Sequence, residues 1–460
     1  MTKKKVQIWD GNVRDAALTI LLAVDKNQAY SNLLLNQTIN KYSIDTKDRA
    51  LLTEITYGTL QHKYTLDYYL EPFIRGNLDL WVRWLLRLSL YQIVYLSRVP
   101  DHAAVNEAVE IAKRRGHKGI SSTVNGILRS ILRQGIRSTD EIKDPIKRLA
   151  IETSHPQWLV ERFIESYGIE KTAEMLQENN VPPIQTVRVN TTKTTVDEVL
   201  KLLEDEGVTA KQSNVIPECL HFVNGQASRT KAFKEGYITI QDESSMMPAN
   251  VLNPQPGWRV LDMCAAPGGK TTHIAEKMKN EGSILATDLH PHKLDLIEET
   301  SNRLGLNIIE TAPIDGRKAA DFLQKQSFNA VLVDAPCSGL GVMRRKPDIK
   351  YTKREEDFES LHDIQLKLLD NAVEVLKPDG RLVYSTCTVN VDENEATVKT
   401  FLASHPEMEP VQLENLPKIL LERGQGGMLQ VFPQDFGSDG FFVAAFRKKT
   451  DLEMEEKGES

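Results

Sequence analysis

The chain has 460 residues, 40% of them hydrophobic and 26% charged, with 57 basic against 64 acidic side chains and a net charge of −7. That length exceeds what one hydrophobic core serves and predicts two or three domains, and the ordinary composition excludes a chain disordered along its length. The acidic total excludes a protein that coats nucleic acid nonspecifically, while leaving room for a local basic surface.

At the N-terminus Lys3, Lys4 and Lys5 are followed by Trp9, Asp10, Arg14 and Asp15, so no apolar run reaches the length of a signal peptide or a membrane span. The chain therefore reads as cytoplasmic. From Asn12 to about Gln134 apolar residues recur at helical spacing, as in Ala17, Leu18, Leu21 and Leu22, and later Trp84, Leu85, Leu88, Tyr91, Gln92 and Tyr95. Several short helices are predicted, with breaks near Ser43 to Thr46, Arg75 to Asn77 and Val99 to Asp101. Between Ile111 and Ser138 stand Lys113, Arg114, Arg115, Lys118, Arg129, Arg133 and Arg137 with no acid among them. Such a run is either a solvated helix face or a phosphate-binding one, and Arg129 and Arg133 sit one turn apart on the same face.

From Lys143 to Asn253 short β-type runs (Thr186 to Val189, Leu220 to Val223, Tyr237 to Gln241) flank a helical stretch from Val196 to Glu206, which suggests a small α+β unit. Asn253-Pro254-Gln255-Pro256-Gly257 reads as a linker. Beyond it strands alternate with helices. Strands are expected at Arg259 to Met263, Ser283 to Thr287, Ile308 to Ala312, Ala330 to Val333 and Arg381 to Ser385, with helices at Thr271 to Lys279, His292 to Leu304 and Lys353 to Leu376. That alternation implies a parallel, doubly wound sheet. Phe441 to Arg447 reads as an edge hairpin, and residues 450–460 as a disordered tail.

Within the α/β region Cys264-Ala265-Ala266-Pro267-Gly268-Gly269-Lys270 places a glycine pair where a buried strand turns into a helix, so the backbone there can approach a ligand closely. It is neither a Walker loop, which would need glycine at the Cys264 position, nor a G-x-G-x-x-G fingerprint. Asp288 and Asp334 end strands and Asp315 follows one, so three acids line the carboxyl edge where such sheets bind ligands. Any one alone would be read as a cap or turn residue. Four cysteines, Cys219, Cys264, Cys337 and Cys387, stand too far apart for a disulfide framework or a local zinc motif, and no metal is expected. Cys337 and Cys387 each follow a predicted strand and would reach the same edge. Buried filler is one reading of them. The other is nucleophilic chemistry, in which a thiolate adding to C6 of cytosine makes C5 able to attack a methyl sulfonium, while Asp334 contacts the ring's N3. A base attacked in this way must leave any stack, and Arg344-Arg345-Lys346 is either a solvated loop or a hold on the RNA backbone beside Cys337.

CAAPGGKT at 264–271, DAPCSG at 334–339, STCTV at 385–389 and DGFF at 439–442 together resemble the RNA cytosine-5 methyltransferases of the nucleolar-protein/Sun group. The resemblance implies that Cys264, Ala265, Ala266, Pro267, Gly268, Gly269, Lys270, Asp288, Asp315 and Asp334 bind S-adenosylmethionine. It further implies that Cys387 is the nucleophile and that Cys337 assists product release. DNA cytosine methyltransferases use a cysteine placed like Cys337, and in that arrangement the two roles exchange. The helical third resembles the NusB antitermination factor through Val99-Pro100-Asp101, Asn106 to Val109 and Val124 to Arg129. The expected layout is an all-α NusB-like domain (1–140), a small α+β domain (141–253) and an α/β Rossmann-like class I methyltransferase domain (254–449). This layout implies a monomer that methylates one cytosine of 16S ribosomal RNA, free or in an early assembly particle, with Arg114, Arg115, Arg129, Arg133, Arg344, Arg345 and Lys346 as candidate RNA contacts. A noncatalytic docking factor, or transfer RNA or DNA as the substrate, are the competing readings.

Overall fold

The computed structural model describes residues 11–27 and 31–458. The lysine-rich start through Asp10, and Glu459 and Ser460 of the tail, lie outside the described residues. The chain forms two compact units, one of Met1–Val181 with Met343–Thr352, the other of Pro182–Val342 with Lys353–Ser460.

The first unit is helical, and its helices Thr46–Gln61, Lys63–Leu70, Leu80–Tyr95, Asp101–Arg115 and Lys118–Gln134 break as predicted before Thr46, before Leu80 and before Asp101, while the breaks at His62 and at Gly116-His117 are not among those expected. Asp45 starts the first of these by accepting from the amides of Lys47 (2.8 Å) and Asp48 (3.0 Å), which satisfies two donors that the helix itself leaves unpaired. Ala17, Leu18, Leu21, Trp84, Leu85 and Leu88 form the core, as their spacing predicts. Helices pack closely where Gly58 faces Tyr91, since a Cβ there would lie 1.9 Å from the ring. The unit extends beyond residue 140, because Pro145–Glu152, Gln157–Tyr167 and Ile169–Glu178 are helices belonging to it. Ser154 there accepts from the Tyr64 amide at 2.9 Å. Met343–Thr352 is held in the same unit by Lys350, whose buried Nζ donates to Asn180 Oδ1 (2.8 Å) and the Gln61 carbonyl (3.3 Å).

The second unit opens with β1 (Gln185–Val189), β2 (Ala210–Gln212), β3 (Cys219–Phe222) and β4 (Ile238–Ile240), an antiparallel sheet of order β2-β3-β1-β4. Helix Val196–Asp205, started by a Thr195/Glu198 capping box, packs Val199 and Leu203 against Val187, Val189 and Leu220. The larger sheet contains β5 (Arg259–Asp262), β6 (Ser283–Thr287), β7 (Ile309–Ala312), β8 (Phe328–Asp334), β9 (Leu376–Thr386), β10 (Met408–Pro410), β11 (Met428–Val431) and β12 (Phe441–Lys448). Its order is β10-β12-β9-β8-β5-β6-β7, with β11 also on β12. β5 to β9 run parallel, as the strand–helix alternation predicts. β12 is not at an edge. It pairs antiparallel with β9 on one side and with β10 and β11 on the other, and Phe441 to Phe446 are all buried. The run Phe-Phe-Val-Ala-Ala-Phe is apolar throughout, which is the signature of a strand covered on both faces. The tail is not structureless either, since Asp451–Gly458 is a helix whose Glu453 pairs with Arg447 at 2.7 Å and caps the Thr450 amide at 2.8 Å.

Arg188 of β1 joins the two sheets of this unit. Fully buried, it forms a bidentate pair with Glu276 (2.8 and 2.9 Å) and donates to Thr272 Oγ1 (3.0 Å) and the Gly269 carbonyl (2.8 Å), all on helix Gly269–Lys277. Burial pushes the Glu276 carboxyl up even with the guanidinium beside it. Truncating one partner of such a pair strands the other without solvent or counter-charge. Arg188→Ala should therefore cost about 3–5 kcal/mol in urea unfolding, and a midpoint unchanged from wild type would refute the joint.

Candidate active site

The carboxyl edge of the parallel strands gathers the expected residues. At the end of β5 Asp262 is fully buried, with Oδ2 accepting from Thr271 Oγ1 at 2.7 Å while Oδ1 has no hydrogen-bond partner among the described residues. Burial pushes this carboxyl up to about 7, with Asp334 adding to the effect and Thr271 opposing it. The chain then turns through Cys264 to Gly268. Gly268 has φ +98°, and a Cβ there would press on the Ile297 backbone at 3.1 Å, so glycine is required both by conformation and by space. Helix Gly269–Lys277 starts directly after it. An orphaned buried acceptor under a glycine turn at a helix N-terminus fits a bound polar cofactor. The Cys264 thiol in this turn is pushed up by burial, with the neighbouring acids adding to the effect.

Asp288 lies just past β6, mostly buried, accepting from the His290 amide at 3.0 Å with Lys293 Nζ at 3.7 Å. Asp315, past β7, is turned onto Arg317, which donates from its amide (3.0 Å), Nε (2.9 Å) and Nη2 (2.7 Å) and holds the carboxyl below its usual range. Asp315 is also the cap of a 3₁₀ turn, Gly316–Lys318, so here the modest cap reading and the ligand-edge position coincide.

Asp334 closes β8 and is gripped from both sides, Oδ2 by Lys270 Nζ at 2.7 Å and Oδ1 by Ser385 Oγ at 2.8 Å. Burial works against the Lys270 ammonium, yet Asp334 holds it above its ordinary range, with Cys387 and Asp262 adding. The pairing register of β8 with β9 sets Asp334 opposite Ser385. Three residues beyond the one and two beyond the other, the sulfurs of Cys337 and Cys387 stand 3.4 Å apart. The Cys337 thiol is pushed well up, first by its hydrogen bond with Cys387, then by burial and by the charges of Cys387 and Glu393. The Cys387 carbonyl accepts from the Gly341 amide (3.0 Å), and Gly341 in turn lies so close to Gly440 that a Cβ would meet its carbonyl oxygen at 1.9 Å. A Cβ on Gly440 would itself meet Val389 Cγ1 at 2.7 Å and the Gly341 Cα at 2.9 Å, which accounts for the glycine in Asp439-Gly440-Phe441-Phe442. Asp242, in the Gln241 to Ser245 stretch, accepts from the Asp439 amide at 3.2 Å and so braces the same corner.

The basic candidates divide. Arg129 and Arg133 are exposed on helix Lys118–Gln134, Arg129 Nε resting on Asn125 Oδ1 at 3.0 Å. Arg114 is exposed, 4.0 Å from Asp15. Arg115 is not available as a surface contact, because its guanidinium bonds Asp15 at 2.6 Å and the Asp15 carbonyl at 3.1 Å inside the helical unit. Arg344 likewise fits neither reading of its run, the solvated loop or the hold on the RNA backbone. Its side chain is 1% exposed, pairs with Glu178 at 3.1 Å, and belongs with Lys350 to the segment built into the first unit. Of that run Arg345 is half-buried and Lys346 exposed.

Sequence reasoning missed Ser385 and Glu393, which bond across the cysteine loops, and the Arg188–Glu276 pair under the glycine turn. It also missed a group in which donor atoms of Cys219, His221 and Glu243 lie within 4.8 Å of one another. Glu243 there already accepts from His221 (2.8 Å), the Ile216 amide (3.0 Å) and Ser213, so its oxygens are satisfied by the protein.

Known proteins align with this architecture along its whole length. A family model described as 16S rRNA methyltransferase RsmB/F matches residues 249–447, the NusB family matches 11–133, and the ferredoxin-like domain of RsmF/B-like methyltransferases matches 155–228. A probable ribosomal RNA small subunit methyltransferase B of Bacillus subtilis (strain 168) is 48% identical over 442 residues, covering 95% of this chain and 99% of that one. One from Synechocystis, similarly described, is 34% identical over 95% of this chain and 99% of its own. Among solved structures, PH0851 superposes with a TM-score of 0.81 at 28% identity, over 97% of this chain and 100% of its own. NSun6 from Pyrococcus horikoshii, solved with SFG, has a TM-score of 0.58 at 25% identity over 64% and 99%. With near-complete coverage at up to 48% identity, the chain belongs to the RsmB/F family of 16S rRNA methyltransferases.

Proposed function

We propose that this protein methylates C5 of one cytosine in 16S ribosomal RNA, acting as a cytoplasmic monomer on free RNA or an early assembly particle, with Cys387 bonding transiently to C6. The observation that carries the reading is the pair of thiols 3.4 Å apart beside the Lys270–Asp334 pair, at the edge that holds the glycine turn. S-adenosylmethionine, of which SFG in the NSun6 structure is an analogue, would supply an electrophilic methyl group. The turn from Cys264 to Lys270, with Asp262 beneath it and Asp288, Asp315 and Asp334 along the edge, would hold that cofactor; Asp315 would do so only after releasing Arg317.

In this reading Cys387 attacks C6 and the ring's C5 gains electron density, which is the activation a thiolate gives an otherwise poor carbon nucleophile. Asp334, kept in place by Lys270 and Ser385, faces the ring's N3 and favours a proton there as the sulfur adds. Once C5 carries the methyl group its proton passes to solvent water, and the electrons of the C5–H bond then form the C5–C6 double bond as the bond from C6 to Cys387 breaks. Cys337, touching that sulfur, serves this release step. The chemistry calls for no metal. Exposed Arg114, Arg129 and Arg133 are the candidates for phosphate contact on the helical unit.

Incubation with isotopically labelled methyl donor and unmodified 16S RNA, followed by nucleoside mass spectrometry, should yield 5-methylcytidine. No transfer would favour a docking protein, and transfer only to transfer RNA or DNA would correct the substrate. Cys387→Ala should lower turnover by about 10⁴-fold or more, whereas Cys337→Ala should accumulate a protein–RNA adduct that survives denaturing electrophoresis. An adduct formed by the Cys387 variant instead would exchange the two roles. Replacing Arg129 and Arg133 together by alanine should weaken RNA binding and flatten its log–log salt dependence by about 2; an unchanged slope would return that face to the solvent.

A further inference from the structure

Behind the two cysteines lies a carboxylate with no place in the chemistry above. Glu393 is fully buried. Its Oε2 accepts from the Ser338 amide (2.8 Å) and Gln365 Nε2 (3.1 Å), and its Oε1 from Asn390 Nδ2 (3.1 Å) and the Ser338 hydroxyl. Ser338 follows Cys337 in the chain, while Asn390 lies on the loop that carries Cys387. Thr388 extends the link, its hydroxyl 2.8 Å from that of Ser338 and accepting from the Asn390 amide at 3.2 Å. With both oxygens filled by donors Glu393 has no position for a proton of its own, so it stands as a carboxylate.

The charges around the sulfur pair are therefore of opposite sign on its two members. Lys270 is the cation that acts on Cys387, and Glu393 is an anion that acts on Cys337. Asp334 is engaged by Lys270 and Ser385, and the Tyr384 hydroxyl, pushed up by burial, donates to the Glu393 carbonyl at 2.6 Å. Sulfurs 3.4 Å apart can share one proton, and this field favours the arrangement in which Cys337 donates and Cys387 accepts. We propose that Glu393 is a positioning residue: it clasps the Cys337 loop to the Cys387 loop, and its charge keeps the shared proton on Cys337, leaving Cys387 as the anionic sulfur. This rests on the reading of Cys387 as nucleophile and supplies the reason why that cysteine, and not its neighbour, is the one activated.

The test is competitive alkylation of the full-length protein, without RNA, by limiting iodoacetamide at about neutral pH, with Cys337 and Cys387 quantified by peptide mass spectrometry. Wild type should be labelled at Cys387 ahead of Cys337. Glu393→Gln, which keeps the shape and removes the charge, should lower the Cys387-to-Cys337 ratio about tenfold, the change expected for about one pKa unit. Ser338→Ala and Glu393→Asp, which retain the charge, should stay within about threefold of wild type, and they decide the matter if the glutamine variant does not fold by circular dichroism. A wild-type ratio preserved in Glu393→Gln would overturn the role of Glu393 alone. So would collapse of the ratio in a folded Ser338→Ala or Glu393→Asp protein, because geometry and not charge would then set the preference. A wild type without any preference for Cys387 would instead sink the nucleophile assignment on which the role depends.

Discussion

Parallel pairing of β8 with β9 sets Asp334 opposite Ser385, and the rest of the candidate site depends on that register. Two strands of one parallel sheet end at the same edge, so the residues following them are delivered to a common crevice whatever their separation in sequence. Fifty positions separate Cys337 from Cys387, yet their sulfurs touch. A slip of one residue would turn the side chains of β9 to the other face of the sheet and part Ser385 from Asp334. The antiparallel strand β12 locks the other side of β9, with Phe442 opposite Thr386 at the end nearest the cysteine. Its buried phenylalanines thus stiffen the element that presents Cys387.

Acids crowd this edge, and the structure manages them individually. Lys270 pairs with Asp334, Arg317 takes Asp315, and Asp262 is left buried with one oxygen unpartnered among the described residues. A buried orphan acceptor is costly unless something binds there, which is why the glycine turn and Asp262 together suit a ligand. Beneath the turn, Arg188 carries helix Gly269–Lys277 on its guanidinium by way of Glu276, Thr272 and the Gly269 carbonyl. The small antiparallel sheet is thereby part of the support of the glycine turn, since the residue that holds the helix comes from β1.

Charge in the helical unit follows a different logic. A run of basic residues without acids looks uniform along the chain, but Arg115 is spent on Asp15 within the unit while Arg129 and Arg133 remain at the surface. Arg344 is buried against Glu178, where it ties Met343–Thr352 into the helices alongside Lys350. For these residues composition alone cannot separate structural from surface arginines, because the deciding partner lies about 100 or more positions away.

What the sequence determined by itself was set by local physics. Helical periodicity marked the core of the first unit, glycine at Gly268 marked the turn, and apolar runs ending in aspartate or followed by cysteine marked the sheet edge. These features express backbone geometry and the alternation of burial over a few residues, and both are written locally. Only the tertiary structure decided the rest. It brought Lys270 to Asp334, set the 3.4 Å between the sulfurs, placed Glu393 across the two loops, and moved β12 from the expected edge to the interior. Each of those outcomes is a distance between side chains far apart in the chain, fixed by strand register and close packing, and no periodicity along the chain encodes it.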